Sequence, residues 1–278
     1  MKPLVKICGI TRKADALFCA AQGANALGFI FYEASPRCIA PAKAARIIAS
    51  LPPFVTAVGV FVNQRRRDIC RIIEQTGIGV IQFSGDESPE DCEGYPLKTI
   101  KAFRIRFGFE RGMGILPMSP RGVSPLESGA EDTGKMPVTH MGETPMPLSG
   151  QSLRPLLKYR VSAALLDGAA GGLYGGSGQL ADFRVARELK KHFPVILAGG
   201  LTPDNIVQAA KLVKPYALDV NSGVESSPGK KDHRKVARLF RRINDMQENN
   251  KRRRDTESSE SEEEFKRRRN NKEGPEAR

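Results

Sequence analysis

Three side chains stand where a chain does chemistry more readily than where it packs a core. Cys8 closes the apolar run Val5-Lys6-Ile7 and is followed by Gly9, so a thiol sits where a short buried strand gives way to a loop. A thiol there either packs as a small hydrophobe or, once ionised, takes a proton. Asp167 follows Leu165-Leu166 and precedes Gly168, a setting that suits a turn cap or an acid. Brought face to face, that thiol and that carboxyl would make an acid/base pair. Arg37, in Ser35-Pro36-Arg37 shortly after an apolar run, offers the planar fork that grips a carboxylate or phosphate at two points.

Three glycine-rich loops complete the set: Gly175-Gly176-Ser177-Gly178, Gly199-Gly200 just ahead of Thr202-Pro203, and Asn221-Ser222-Gly223. Glycines at the start of a helix bare backbone N–H groups, and such groups bind phosphate. A phosphorylated small molecule is the substrate class these loops point to.

The elements that must position these residues follow from hydrophobic periodicity. Short apolar or β-branched runs predict strands at Val5–Cys8, Ala26–Phe31, Thr56–Val62, Val80–Phe83, Lys98–Ile105, Ala163–Asp167, Val195–Ala198 and Ala217–Val220. Amphipathic stretches between them predict helices over Lys13–Gln22, Pro41–Ser50, Arg65–Thr76, Ser152–Arg160, Asp182–Lys191, Thr202–Lys211 and His233–Met246. Pro41 and Pro203 suit a first helical turn, and Thr202 suits the cap before Pro203. The stretch Gly85–Pro96 is too short and broken for a good helix. Eight such units close most economically into a (β/α)8 TIM barrel, whose active site lies at the C-terminal ends of the strands, with phosphate at the loops after the seventh and eighth. An open doubly wound sheet is the alternative, but no Gly-x-Gly-x-x-Gly follows the first strand.

The barrel is expected over 1–246, interrupted by a low-complexity insertion at 111–149 that is rich in Gly, Pro, Met and Ser, and followed by a charged tail at 247–278; insertion and tail are both expected to be disordered. The insertion follows the fifth strand, on the catalytic face.

The 278 residues carry 44 Lys and Arg against 31 Asp and Glu, a net charge of +13, which raises nucleic acid as a partner. The basic clusters have no interleaved aromatics and the chain has no tryptophan, which argues against a base-stacking surface. Five scattered cysteines without a Cys-x-x-Cys pair argue against both a disulfide framework and a zinc site, and the three histidines end no strand, so no metal is expected. With no long apolar window and no leader pattern, the expectation is a cytoplasmic protein without a membrane partner.

The runs Lys6-Ile7-Cys8-Gly9-Ile10-Thr11, Gly28-Phe29-Ile30-Phe31 with Ser35-Pro36-Arg37, Val58-Gly59-Val60-Phe61-Val62-Asn63, Leu165-Leu166-Asp167, Gly175-Gly176-Ser177-Gly178, Leu197-Ala198-Gly199-Gly200-Leu201 and Asp219-Val220-Asn221-Ser222-Gly223-Val224-Glu225 resemble the phosphoribosylanthranilate isomerase family of tryptophan biosynthesis. The resemblance covers Met1 to Phe109 and Ser152 to Ile243. It implies a TIM barrel, an Amadori rearrangement by acid/base chemistry and no cofactor. It also implies Cys8 as general base, Asp167 as general acid and Arg37 on the anthranilate carboxylate. Gln82 and Asp219 fall near the sugar, and Gly176, Ser177, Gly200, Ser222 and Gly223 at the phosphate. Positive potential from Arg37 and the phosphate loops would then favour the Cys8 thiolate. The sequence departs from the family where Ser84 replaces a usual His, where Leu180-Ala181-Asp182 replaces Phe-Asp-Trp, and where Cys38 replaces a usual Tyr. A monomer or homodimer is expected. The rival readings are another phosphosugar isomerase or epimerase, and a barrel without catalysis that binds nucleic acid through its tail.

Overall fold

The computed structural model describes residues 3–105, 115–117, 153–168 and 183–249. In chain order its strands are β1 (Leu4–Ile7), β2 (Ala26–Ile30), β3 (Thr56–Phe61), β4 (Val80–Phe83), β5 (Lys98–Ile105), β6 (Ile115–Pro117), β7 (Ala163–Gly168), β8 (Val195–Ala198), β9 (Ala217–Val220), β10 (Glu225–Ser227) and β11 (Lys230–Lys231). The helices are α1 (Lys13–Ala21), α2 (Pro41–Ile48), α3 (Arg66–Thr76), α4 (Phe183–Leu189), α5 (Ile206–Val213) and α6 (233–249). β1 to β5 and β7 to β9 all run parallel, and the ring closes because β9 pairs with β1 and β5 with β4. This is the (β/α)8 barrel expected from the pattern of runs.

Period-two alternation sorts each strand between two cores. Val58, Ile100, Ala102, Ala163, Leu165, Ile196, Ala198 and Ala217 fill the barrel interior. The intervening residues, among them Ile7, Leu27, Phe61, Ile81, Leu166 and Leu218, face the helices together with Val236, Leu239, Phe240 and Ile243 of α6. Asp167 shares the parity of Ala163 and Leu165, and Cys8, whose N–H still bonds the Val220 carbonyl at 2.9 Å, shares that of Lys6. Both residues are therefore dealt to the inner face at the C-terminal rim.

Two helix expectations are corrected. Over Ser152–Arg160 the described residues form only a 3-10 turn, Leu156–Lys158. A 3-10 turn places i and i+3 on one face, so Leu153 and Leu156 are buried together while Tyr159 packs edge-on against Phe103. Its hydroxyl donates to the Glu87 carbonyl at 3.0 Å. The other correction is at α5, which starts at Ile206 rather than near Thr202. Thr202 Oγ1 accepts the Asp204 N–H and Asn205 Oδ1 accepts the Thr202 N–H, so Thr202 caps a preceding turn. Pro41 does stand at the start of α2, and the β4 to β5 connection carries only the 3-10 turn Glu90–Cys92.

Of the 111–149 stretch, the structure describes Ile115–Pro117. These residues pair antiparallel with Phe103–Ile105, on the end of β5 beyond its pairing with β4. Residues 169–182, with Gly176, Ser177 and Leu180, and the tail from 250 lie outside the described residues.

A buried ion pair braces the loops on this side. Lys101, fully enclosed on the outer face of β5, donates to Glu87 Oε2 at 2.8 Å and to the Gly85 carbonyl at 2.7 Å. Glu87 in turn accepts the N–H groups of Asn63 and Gly85, joining the loops that follow β3 and β4.

Candidate active site

Cys8, Arg37, Gly200, Ser222 and Gly223 stand beyond the C-terminal ends of their strands, and Gln82, Asp167 and Asp219 each lie one residue inside the end of theirs. Cys8 and Asp167 are three strands apart around the ring, through β9 and β8.

The floor beneath Cys8 is charged. Lys6 and Asp219 are direct cross-strand partners, and Lys6 Nζ donates to Asp219 Oδ2 at 2.8 Å inside the barrel. Gly28, on the neighbouring strand, is what leaves room for this group. A Cβ there would lie 2.7 Å from Cys8 Sγ and 3.1 Å from Lys6 Nζ. Burial alone would lower the Lys6 pKa, but Asp219 and Cys8 more than offset it and hold the ammonium charged. Burial pushes the Cys8 thiol above its ordinary value; Lys6 and then Lys231 pull it back, and Asp219 adds to the rise.

Two lysines that the sequence reading did not single out add positive potential at the thiol. Lys6 and Lys231 are the cations that oppose the rise at Cys8, while Arg37 lies against Glu225. The Arg37 Nε donates to both oxygens of Glu225 at 3.0 Å and its Nη2 to Oε2 at 2.7 Å. The Arg37 stem crosses the Cys8 loop, with Cδ only 2.9 Å from where a Cβ on Gly9 would be.

Two acceptors at the site are enclosed without hydrogen-bond partners among the described residues: Gln82 Oε1 and Asp219 Oδ1. Buried acceptors of this kind cost stability unless something donates to them, which suits hydroxyl or N–H groups of a ligand. Gln82 spends its amide donor on Ser84 Oγ at 3.1 Å. Of the glycine-rich loops, the one after β8 turns through Gly199 and Gly200, both with positive φ, and the one after β9 through the 3-10 turn Ser222–Val224. These two loops touch directly, since a Cβ on Gly223 would lie 1.9 Å from the Leu201 carbonyl oxygen.

Sequence reasoning missed Lys6, Glu225 and Lys231. A lysine in the middle of Val5-Lys6-Ile7 was the available signal, because a strand buried on both faces tolerates a charge only with a partner. Glu225 and Lys231 carry no such mark; they meet only when the hairpin of β10 and β11 folds over the loops after β1 and β2.

The family model described as N-(5'phosphoribosyl)anthranilate (PRA) isomerase matches residues 5–114 and 151–242, so 115–150 falls between its two matched stretches. The N-(5'-phosphoribosyl)anthranilate isomerase of Trichlorobacter lovleyi is 39% identical over 242 residues, spanning 87% of this chain and 98% of that protein. Among solved structures, a phosphoribosyl anthranilate isomerase in complex with reduced 1-(o-carboxyphenylamino)-1-deoxyribulose 5-phosphate is similar, with a TM-score of 0.63 and 31% identity over 87% of this chain and 98% of that one. So are monomers of the dimeric enzyme from Thermotoga maritima, with a TM-score of 0.63 and 29% identity over 87% of this chain and 98% of that one.

Proposed function

This chain belongs to the N-(5'-phosphoribosyl)anthranilate isomerase family, and from that premise we propose that Cys8 and Asp167 are the base and acid of its reaction. The reaction is the Amadori rearrangement of N-(5'-phosphoribosyl)anthranilate to 1-(2-carboxyphenylamino)-1-deoxyribulose 5-phosphate, a step of tryptophan biosynthesis. The observation that carries the assignment is the shared inner-face parity of the thiol and the carboxyl at one rim of the barrel.

In this reading Asp167 in its acid form gives its proton to the ribose ring oxygen. The bond from that oxygen to C1′ breaks, and the nitrogen lone pair forms a cationic imine at C1′. Cys8 as thiolate then removes the proton on C2′, and the electron pair of that bond flows toward nitrogen to give an enolamine. Loss of the enol proton and protonation at C1′ complete the ketose. The sum is an isomerisation driven by proton transfers alone, so it calls for no redox cofactor.

Arg37 holds the anthranilate carboxylate through the part of its fork that Glu225 does not use. Gln82 Oε1 and Asp219 Oδ1 accept from the sugar hydroxyls, which gives both orphaned oxygens a donor. The N–H groups of Gly200, Ser222 and Gly223 take the phosphate, and Gly176 and Ser177 extend that cradle by resemblance. The reading includes a cytoplasmic enzyme, monomeric or homodimeric, whose partner is this phosphorylated small molecule. Among the described residues no helix is long and apolar enough to cross a membrane. The rival readings, an epimerase or a nucleic-acid-binding barrel, are not favoured by a family match that runs through the barrel strands.

Cys8→Ala and Asp167→Asn, each expressed in a tryptophan auxotroph lacking this isomerase, test the roles. Failure to grow without tryptophan is expected of both, and growth at the wild-type rate with either variant overturns the assignment.

A further inference from the structure

Glu225 is buried, satisfied and outside the set of residues just given a role. It sits in the hairpin beyond β9, with its side chain 4% exposed, and its carboxylate lies against the guanidinium of Arg37. Oε1 also accepts from Lys231 Nζ at 2.9 Å and from the Gly229 N–H at 3.2 Å. Lys231 itself is anchored, donating to Asn221 Oδ1 at 3.1 Å. Glu225 is thus held by groups that do not depend on Arg37, and it can serve as a fixed post for that arginine.

The geometry of the contact is specific. A guanidinium has five N–H donors in a plane. Glu225 takes the side edge, Nε and one hydrogen of Nη2, which leaves the end edge of Nη1 and Nη2. The end edge is a two-pronged match for a second carboxylate. Arg37 and Lys231 against Glu225 leave one positive charge over, so the post does not cancel the attraction for an anion. Ordering a long arginine costs rotamer freedom, and here folding has already ordered it before substrate arrives.

We propose that Glu225 is a positioning residue that aims the end edge of Arg37 at the substrate carboxylate, and so sets the preference for an acidic aryl group without touching the substrate. The inference rests on the reading of Arg37 as the carboxylate-binding residue. A purely structural Glu225 would support every substrate alike, whereas a positioning Glu225 matters only when there is a carboxylate for Arg37 to hold.

The experiment compares steady-state turnover of N-(5'-phosphoribosyl)anthranilate with that of N-(5'-phosphoribosyl)aniline, which lacks the carboxylate, in the full chain and in Glu225→Gln, Glu225→Asp and Arg37→Met. Glu225→Gln keeps the shape and loses the charge, and is expected to raise KM for the anthranilate substrate about tenfold with less effect on kcat, and to raise KM for the aniline substrate less than twofold. Glu225→Asp, which retracts the carboxylate by one methylene, is expected to fall between wild type and Glu225→Gln, and it carries the test if Glu225→Gln does not fold. Equal losses on both substrates, or no loss on either, overturn the proposal. If Arg37→Met itself loses equally on both substrates, the reading of Arg37 fails; if Arg37→Met discriminates and the Glu225 variants do not, the inference about Glu225 fails alone.

Discussion

Lys6 and Asp219, 213 residues apart in sequence, are exact cross-strand partners on β1 and β9 and form a 2.8 Å ion pair inside the barrel, directly below the Cys8 thiol. Both side chains are more than nine-tenths buried, so each charge depends on the other. Lys6→Met strands the carboxylate, and breaking such a pair costs on the order of 3–5 kcal/mol. Urea denaturation is expected to report a loss of that size, with much of it recovered in the double variant Lys6→Met/Asp219→Leu. The alkylation rate of Cys8 by iodoacetamide should also move to higher pH in Lys6→Met, because the strongest influence opposing the rise of the thiol pKa is gone.

The proposed base must be deprotonated to act, and in the free protein burial holds it above the ordinary thiol value of 9.0. Because the mechanism also needs Asp167 in its acid form, kcat/KM does not isolate the thiolate; the rate of Cys8 alkylation by iodoacetamide, which reads the thiolate alone, is expected to be still climbing at pH 9. An alkylation rate that has levelled off by pH 8 contradicts a Cys8 thiol held above its ordinary value.

Gly28 gives a steric test of the same group. In Gly28→Ala the new Cβ would sit 2.7 Å from Cys8 Sγ and 3.1 Å from the Cys8 Cα, so the neighbouring backbone, and not a flexible tip alone, must yield. Displacements of this order at a reacting group cost on the order of a hundredfold in rate. Gly79→Ala, where a Cβ meets nothing within 4 Å, is the matched control and should keep full kcat.

Alkaline stability follows from two other thiols. Burial pushes Cys19 and Cys92 from an ordinary 9.0 up to about 12 each. A raised folded pKa means that the unfolded chain releases these protons first, so their contribution is whole below pH 9.0 and is lost as pH rises toward 12. The denaturation midpoint is expected to fall steadily across that window, and Cys19→Ala should show a shallower fall than the parent. Ellman's reagent should leave both thiols untouched in the folded protein, since their exposures are 0% and 1%.

Much of the architecture was legible because it is short-range. Strand runs such as Ala26–Ile30 and Val195–Ala198 announce themselves by composition, and a buried parallel strand needs no knowledge of its neighbours to be seen. The Ser152–Arg160 stretch misled by its spacing. Leu153, Leu156 and Tyr159 are spaced by three, which an α-helix and a 3-10 turn both place on one face, and Pro155, at the N-cap of the turn, has no N–H to carry a helix through from Ser152. Thr202 likewise reads as a helix cap, and it caps a turn instead because Asn205 reaches back to the Thr202 N–H and the Gly200 carbonyl.

By itself the sequence determined the eight-unit barrel, the thiol at the end of the first strand, the aspartate at the end of β7 and the arginine after β2, since each is a property of a few consecutive residues. Only the tertiary structure decided what those residues feel. The partner of Lys6 lies 213 positions away and the partner of Arg37 lies 188 positions away, and ring closure is what brings them into contact. Ion pairs across a closed barrel depend on register and burial together, and neither is a local property of the chain.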